Sequence, residues 1–489
     1  MTVVDDLAPT TAAAPAVAPA EPVSSSRRQE WLALGAVLAV ALALNTWGLS
    51  GNGLGNTYYA AAVRSMTHSW RNFFFAAFDP GGFISVDKPP VALWIEALFV
   101  RAFGYSSWSL LLPAALAGTA SVGVLWAIVR RRFGVVAATV AGLVLALSPI
   151  NVALNRLNLP DPFMILFLLG AVWAVDRSFD AARPYRALVV AGALVGLAFN
   201  TKMLAAAIPL PAIGLALLIG SRRDWWTRVR RGAVFAVAAI AFSLPWLVAV
   251  DLTPASSRPF VGGSTDNTVQ NLVLGYNGVN RVTGTGQGGI GRGRPTGAPG
   301  APGAGAGGVF GGTAGSERLF SDAVGGQIAW LLPVATASAL VALWCYRRRA
   351  ALLAGVALWT GWVLLHGVVF SESEGIFHSY YTTALAPGIA ALVGIGGALA
   401  YERLRAGAYR AAWAGGTAAV LAITIALHVR LTRRAPGFHA WTRPAALALA
   451  LGAAAALIVS LVRRQPRAVP IGLGLALAAS LVSPAAWAA

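Results

Sequence analysis

Charge is scarce in this 489-residue sequence: only 11% of its residues are Asp, Glu, Lys or Arg, against roughly a quarter in an ordinary soluble domain. With 57% hydrophobic residues, a water-soluble globule of this make-up has no means of covering its surface. Lysine is scarcer still, since of the 37 basic residues only Lys88 and Lys202 are lysines. A lone cysteine, Cys345, excludes a disulfide framework within the chain, and no Cys/His spacing suggests a structural zinc site. Acids number 18, giving a formal net charge of +19. In another setting that balance would suggest nucleic acid. Here the arginines stand in short clusters between apolar runs, the mark of membrane topology, and no nucleic-acid partner is expected.

What the sequence has is apolar runs, and a bilayer span needs about 20 such residues in a helix. The runs are 31–50, 109–129, 133–150, 162–178, 187–200, 203–220, 232–250, 326–345, 350–370, 382–400, 411–428, 444–462 and 469–488. They predict an all-α polytopic membrane protein with about 13 transmembrane helices. Residues 1–30, rich in Ala, Pro, Thr and Ser, read as a disordered cytoplasmic tail ending at Arg27-Arg28. The run after it is too long for a signal-peptide core and no cleavage site follows, so it reads as a retained first span. Residues 31–400 form the main transmembrane module and 401–489 a C-terminal set of helices. Seven arginine clusters alternate as the positive-inside rule requires, which puts the N-terminus in the cytoplasm of an integral, multi-pass plasma-membrane protein. Loop 429–443, with four arginines, falls outside by parity and dissents.

This topology gives the outer face a long first loop (51–108), a turn (151–161), the Asn200-Thr201-Lys202 corner, a second long loop (251–325) and the segment Ser371–Tyr381. Ten of the 18 acids and both lysines fall there, so the external face is the expected working side. In the first loop, Tyr58, Tyr59, Trp70, Phe73, Phe74, Phe75 and Phe78 alternate with Arg64, His68 and Arg71, the pattern of an interfacial amphipathic helix lying on a membrane. The plainer reading of these aromatics is an anchoring belt. Asp79-Pro80-Gly81-Gly82 makes a turn, and Lys88 precedes the helical stretch that Pro89-Pro90 opens, a place to meet an anion. From Gly284 to Gly315 the composition is Gly, Ala and Pro, a flexible linker whose GxG fragments lack the strand and helix of a nucleotide site.

Several ordered motifs now resemble one family. Tyr59-Ala60 with Met66, Asp87-Lys88-Pro89-Pro90, the turn Asn155–Asp161, Gly196–Lys202 and Phe377–Tyr381 are similar to motifs at matching loops of the polytopic GT-C glycosyltransferases, of the lipid A aminoarabinose transferase and protein O-mannosyltransferase type. The likeness is nearest to a Gram-positive subgroup with GNxYYAAAV, DPGG and VDKPP motifs, and it covers residues 31 to about 400. It implies a GT-C-like fold and transfer of a hexose or pentose from a polyprenyl-phosphate donor to a lipid, glycan or protein acceptor outside the membrane. There are two departures. Where the family opens its first loop with an acidic pair, this chain has Gly55 and Asn56, so the usual general base has no counterpart. Longer members of the subgroup also carry a soluble C-terminal domain after the last span that this sequence does not include, which bears on acceptor choice.

The residues suit such chemistry. A phosphate leaving group needs cations, and an acceptor hydroxyl needs a carboxylate. Lys88, Lys202 and Arg156 are the phosphate candidates; lysine approaches one phosphate oxygen as a point charge, which gives two lysines a reason in an arginine-biased chain, with snorkelling at helix ends as the plainer alternative. The base is Asp87 or Asp161, followed by Asp79 and then Glu374. Plainer readings are an ion pair to Lys88 for Asp87, an Asp-Pro turn for Asp79 and a helix cap beside Pro162 for Asp161. Asn56, Tyr58, Tyr59, Glu374, His378, Tyr380 and Tyr381 are expected sugar or lipid contacts, although a lone histidine between aromatics is more often simply packed. Glu372 and Glu374 could ligate a divalent cation, but no acid cluster has metal spacing, so no obligatory metal or cofactor is expected; metal-independent, inverting transfer is the reaction expected of the family it resembles. Two other classes compete. A transporter or flippase would carry ionisable groups at mid-membrane and visible repeats, whereas here mid-span charges are nearly absent and no repeat is visible; a non-catalytic envelope-assembly partner would explain Gly55-Asn56.

Overall fold

The computed structural model describes residues 26–221, 223–284, 311–407 and 409–488. The expected disordered tail, apart from its last few residues, and the core of the Gly/Ala/Pro linker (285–310) lie outside them. Among the described residues the chain is helical, with two isolated β-bridges, Ala77 to Ser85 and Ile84 to Phe260, and no strand.

Helix α1 (Arg27–Thr46) starts from a capping box at Ser26 and Gln29. The first loop then forms three short helices: α2 (Thr57–His68), α3 (Trp70–Phe75) and α4 (Val91–Phe103). Asn56 caps α2, and Ser69 ends α2 and caps α3 in one extended residue. The single amphipathic helix expected through the aromatics is therefore broken in two. Helix α5 (Ser107–Ala146) runs for 40 residues and is interrupted at Gly134, whose φ of 82° leaves the helical region. The runs 109–129 and 133–150 are thus consecutive pieces of one element. After α6 (Pro149–Asn155) come α7 (Asp161–Ser178), α8 (Pro184–Lys202), α9 (Leu210–Gly220) and α10 (Trp225–Leu252). The last six are α11 (Gly325–Tyr346), α12 (Ala350–Glu372), α13 (Ala386–Ala406), α14 (Arg410–Thr432), α15 (Thr442–Val462) and α16 (Ala468–Ala488).

Every apolar run found in the sequence overlaps one or more of these helices, and ten of the described helices are long and apolar enough to cross a membrane. Run 203–220 delivers less than expected: a 3-10 turn at Met203–Ala207 and then only the 11-residue α9. A continuous core extends from Val37 to Leu481, with α7 packed on α8, α8 on α10, and α5 on both α1 and α13. At Gly192 and Gly196 a side chain would strike the backbone of α10, so these small residues let α8 and α10 cross closely.

The rise of an α-helix separates the ends of α7 by about 22 Å between Asp161 and Asp176. Around Asp176 and Asp180 gather Arg131 and Arg132, and Arg130 nearby pairs with Glu30. Around Asp161 gathers the candidate site. The dissenting loop 429–443 joins the site's end. Arg434 binds Asp322 at 2.7 Å and the carbonyls of Phe320 and Ser321 at 2.7 and 2.8 Å, and Gln327, in the segment that follows Asp322, bonds Ser379. At least one of the four arginines that broke the charge pattern is there to clamp a loop.

Candidate functional site

Two buried ion pairs anchor the site. The extended segment after α3 brings Asp87 and Lys88 to the start of α4. Lys88 Nζ donates to Asp87 Oδ2 at 2.7 Å and to Asn277 Oδ1 at 3.0 Å, and Asn277 Nδ2 donates to the Asp87 carbonyl at 2.8 Å. The second pair joins the last residue of α8 to the first of α7: Lys202 Nζ meets Asp161 Oδ1 at 2.5 Å. Asn200, two residues earlier, donates to the carbonyls of Phe242 and Ser243 and so ties this corner to α10. The side chains differ in access: that of Asp87 is 19% exposed and that of Asp161 1%.

Aromatic rings and a third cation close the cluster. Lys202 Nζ lies 4.2 Å from the centre of the Tyr381 ring and 5.6 Å from that of Tyr380. Arg281 donates to the Tyr381 hydroxyl at 3.0 Å and stacks over Tyr276 at 4.5 Å. Tyr276 also lies under Lys88, 5.1 Å from Nζ, and with Asn277 it belongs to a π-helical segment, Leu272–Val279. The Tyr58 hydroxyl accepts from the backbone of Asp87 at 3.3 Å. Tyr59 is buried, and burial together with the nearby Asp87 carboxylate holds its hydroxyl well above its ordinary value. His378 stacks on Tyr380 with ring centres 4.9 Å apart.

The electrostatics follow. Burial opposes ionisation of Asp87, but the adjacent Lys88 ammonium outweighs it and holds the carboxyl below its ordinary value. Burial lowers Lys88 from 10.5 to about 8, and Arg281 and Lys202 push the same way while Asp87 resists. Burial, reinforced by the three cations, brings His378 down to about 4, so it is neutral near pH 7. Three cations therefore face two carboxylates, leaving one net positive charge in a largely buried cluster at the ends of membrane helices. Such a cluster can hold an anion and present a carboxylate beside it.

Of the residues singled out in the sequence, Asp87, Lys88, Asp161, Lys202, Tyr58, Tyr59, His378, Tyr380 and Tyr381 come together. Four do not. Asp79 spends its carboxylate on the backbone N–H groups of Phe83 and Ile84 at 3.0 Å, the turn reading. Arg156 donates to the Leu44 carbonyl at the end of α1. The Asn56 side chain accepts from the N–H groups of Tyr58 and Tyr59 as a helix cap. Glu374 is exposed, and its backbone bonds Val282. Sequence reasoning missed Arg281, Tyr276 and Asn277. The available signal was a basic residue on the face opposite the topology arginines; Arg258 and Arg318 share that signal, yet Arg258 bonds backbone carbonyls and Asn267, and Arg318 holds the carbonyls of Thr313, Phe370 and Ser373 through Nε and Nη1. The missing acidic pair also has a physical account. Gly55 adopts φ +63° and a Cβ there would overlap the Asn158 amide, which itself clamps the Asn56 backbone from both sides. A carboxylate does not fit at position 55 without moving Asn158. Among the described residues no group of three or more His, Cys, Asp or Glu has the arrangement of a metal site.

Residues 87–248, which contain both ion pairs, match the family of dolichyl-phosphate-mannose-protein mannosyltransferases. Two proteins of Bacillus subtilis (strain 168), each provisionally named a mannosyltransferase, are similar over most of the chain: YycA at 37% identity over 74% of this chain and YkcB at 34% over 76%. The chain spans 62% and 63% of their lengths. Among solved structures, ArnT from Cupriavidus metallidurans bound to undecaprenyl phosphate superposes with a TM-score of 0.57 at 18% identity, covering 94% of this chain and 77% of that one. The chain thus shares the polytopic helical fold of the ArnT structure and is similar in sequence to proteins named mannosyltransferases.

Proposed function

We propose that this protein transfers a sugar from a polyprenyl-phosphate donor to a cell-envelope acceptor at one face of the membrane. The observation that carries this reading is the convergence of Lys88, Lys202 and Arg281 with only two carboxylates at helix ends. A sugar phosphodiester on a lipid brings one negative charge to a cluster with one positive charge in excess. Its polyprenyl tail runs among the helices and its phosphate reaches the cations. The name of the Corynebacterium glutamicum relative, a polyprenol-phosphate-mannose–protein mannosyltransferase, and the undecaprenyl phosphate in the ArnT structure support this donor class, and the mannosyltransferase name of the Bacillus relative supports sugar transfer.

In the reaction the acceptor hydroxyl oxygen attacks the anomeric carbon as the bond from that carbon to the phosphate oxygen breaks, with inversion. The hydroxyl proton goes to Asp87, the more accessible of the two carboxylates. The bond electrons leave with the polyprenyl phosphate, whose added charge is met by Lys88, Lys202 and Arg281. Asp161, sealed against Lys202, positions that ammonium. No divalent cation is required, and the acceptor is a lipid, a glycan or a protein hydroxyl. The arginine clusters at the far end, read by the positive-inside rule, support an external active face in the cytoplasmic membrane with the N-terminus inside.

The full chain in lipid nanodiscs, given radiolabelled mannosyl or aminoarabinosyl polyprenyl phosphate and extracted envelope, is expected to move label from the lipid donor to an acceptor, with EDTA leaving the rate unchanged. Donor that stays intact with every acceptor fraction speaks against the enzyme reading, and EDTA-sensitive turnover speaks against its metal independence.

A further inference from the structure

At the arginine-rich end the helices α5, α11, α13, α14 and α16 do not close on one another. Between them lies a cavity of about 690 Å³, within the range that buries a small hydrophobic ligand. Its walls are apolar, including Val341, Val393, Trp413, Val420, Leu473 and Leu477. Two of its few polar groups, the hydroxyls of Thr417 and Ser480, are satisfied by carbonyls of their own helices, so they ask nothing of an occupant. Part of the volume exists because side chains are missing: Gly397, Gly416 and Gly474 line it, and each has open space where a Cβ would stand. Val341, Gly416 and Gly474 are also exposed, so the cavity opens sideways, toward the region that hydrocarbon fills.

The charge at its end is one-sided. Arg347, Arg348 and Arg349 follow α11; Arg403 and Arg405 end α13; Arg410 starts α14; Arg463, Arg464 and Arg467 precede α16; the acid among them is Glu402. Arg405 reaches back 2.9 Å to the hydroxyl of Tyr401, a lining residue. Arg410, whose Nε donates to the Leu404 carbonyl at 2.9 Å and leaves its two Nη groups for a ligand, stands two residues before the lining Ala412, and Arg467 three before the lining Pro470. We propose that this cavity is a binding site for an anionic glycerophospholipid, one acyl chain filling the glycine-made space and the phosphate resting on Arg405, Arg410 and Arg467. Basic rims between membrane helices suit anionic headgroups in this way. A zwitterionic lipid would gain little from the arginines. A polyprenyl phosphate already has its cations at the other end of the bundle, a helix length away.

The test uses the detergent-purified full chain and thermal unfolding with added phosphatidylglycerol, phosphatidylcholine or undecaprenyl phosphate. Phosphatidylglycerol is expected to raise Tm where phosphatidylcholine does not. The cavity-filling variant Gly416→Leu/Gly474→Leu is expected to lose that rise. Arg405→Gln/Arg410→Gln/Arg467→Gln, which leaves the cavity open, is expected to respond equally to the two phospholipids, and it decides alone if the filled variant does not fold. Equal shifts in the wild type, or a phosphatidylglycerol shift kept by the arginine variant, would overturn the proposal. So would an undecaprenyl phosphate shift that disappears in the filled variant while the phosphatidylglycerol shift survives.

Discussion

Both ends of α7 carry aspartate paired with a base, and the two ends are built differently. At Asp176 the partners are Arg131 and Arg132, each also reaching Asp180, whose side chain is 53% exposed. Planar guanidinium forks suit two carboxylates at once, and the result is a brace between α5 and α7 at the water's edge. At Asp161 the partner is one lysine, buried, with an aromatic ring over its ammonium. A single point charge with one oxygen partner can take a second oxygen without dismantling a network. One end of the helix is held together by its charges; the other holds charge ready for something that arrives.

The strongest way to break that contrast is to alter the carboxylates. Asp87→Asn is expected to lower kcat for sugar transfer by ~10²–10⁴, the usual worth of a general base. Asp161→Asn is expected instead to cost ~3–5 kcal/mol of stability, since it leaves the Lys202 ammonium buried and alone. Purified variants compared by transfer kinetics and by thermal unfolding decide between these outcomes, and a reversal would exchange the roles of the two acids. Next come the cations. Lys88→Ala, Lys202→Ala and Arg281→Ala are each expected to reduce kcat/KM by ~10²–10³, whereas Arg131→Gln leaves transfer unchanged. A comparable loss at Arg131 would mean that the two ends are not separate in function.

The pH dependence sharpens the comparison further. Lys88 is lowered to about 8 by burial, so its ammonium is present below that pH and lost above it. Donor KM is therefore expected to rise as pH climbs through about 8 and to stay flat there in Lys88→Arg, whose guanidinium does not titrate in that range. The smallest effect belongs to the arginine end. Arg130, 43% exposed in its pair with Glu30, is expected to contribute less than about 1 kcal/mol, so Arg130→Gln barely moves the unfolding midpoint.

Most of the helices were legible because a bilayer imposes both length and apolarity on any segment that crosses it, and nothing else in the chain shares that pattern. What periodicity does not carry is where a helix breaks. Gly134 and Ser69 interrupt elements for reasons of local backbone geometry, and Met203–Ala207 tightens to a 3-10 turn inside an apolar run. The two lysines and their aspartates were legible as exceptions in an arginine-biased chain. Arg281 was not, because in sequence one arginine beside a flexible linker looks like Arg258 or Arg318, and only the fold shows which guanidinium faces Tyr381 and which is consumed by carbonyls. The same limit applied to Arg156, Asn56 and Glu374, whose places in the fold are set by neighbours remote in sequence or by a cap, whereas Asp79 took the local turn that Asp79-Pro80-Gly81-Gly82 already suggested.

The π-helical turn at Leu272–Val279 has a consequence for how this site can change. An α-helix advances about 100° per residue, and a π-turn holds one residue more than the α-helical turn it replaces. Deleting one residue before Tyr276 is expected to rotate Tyr276 and Asn277 together off the Asp87-Lys88 pair, read as lost transfer in a variant that still folds. The wall over Lys88 is thus keyed to a one-residue phase, and a single-codon insertion or deletion in descendants of this chain would re-key it in one step.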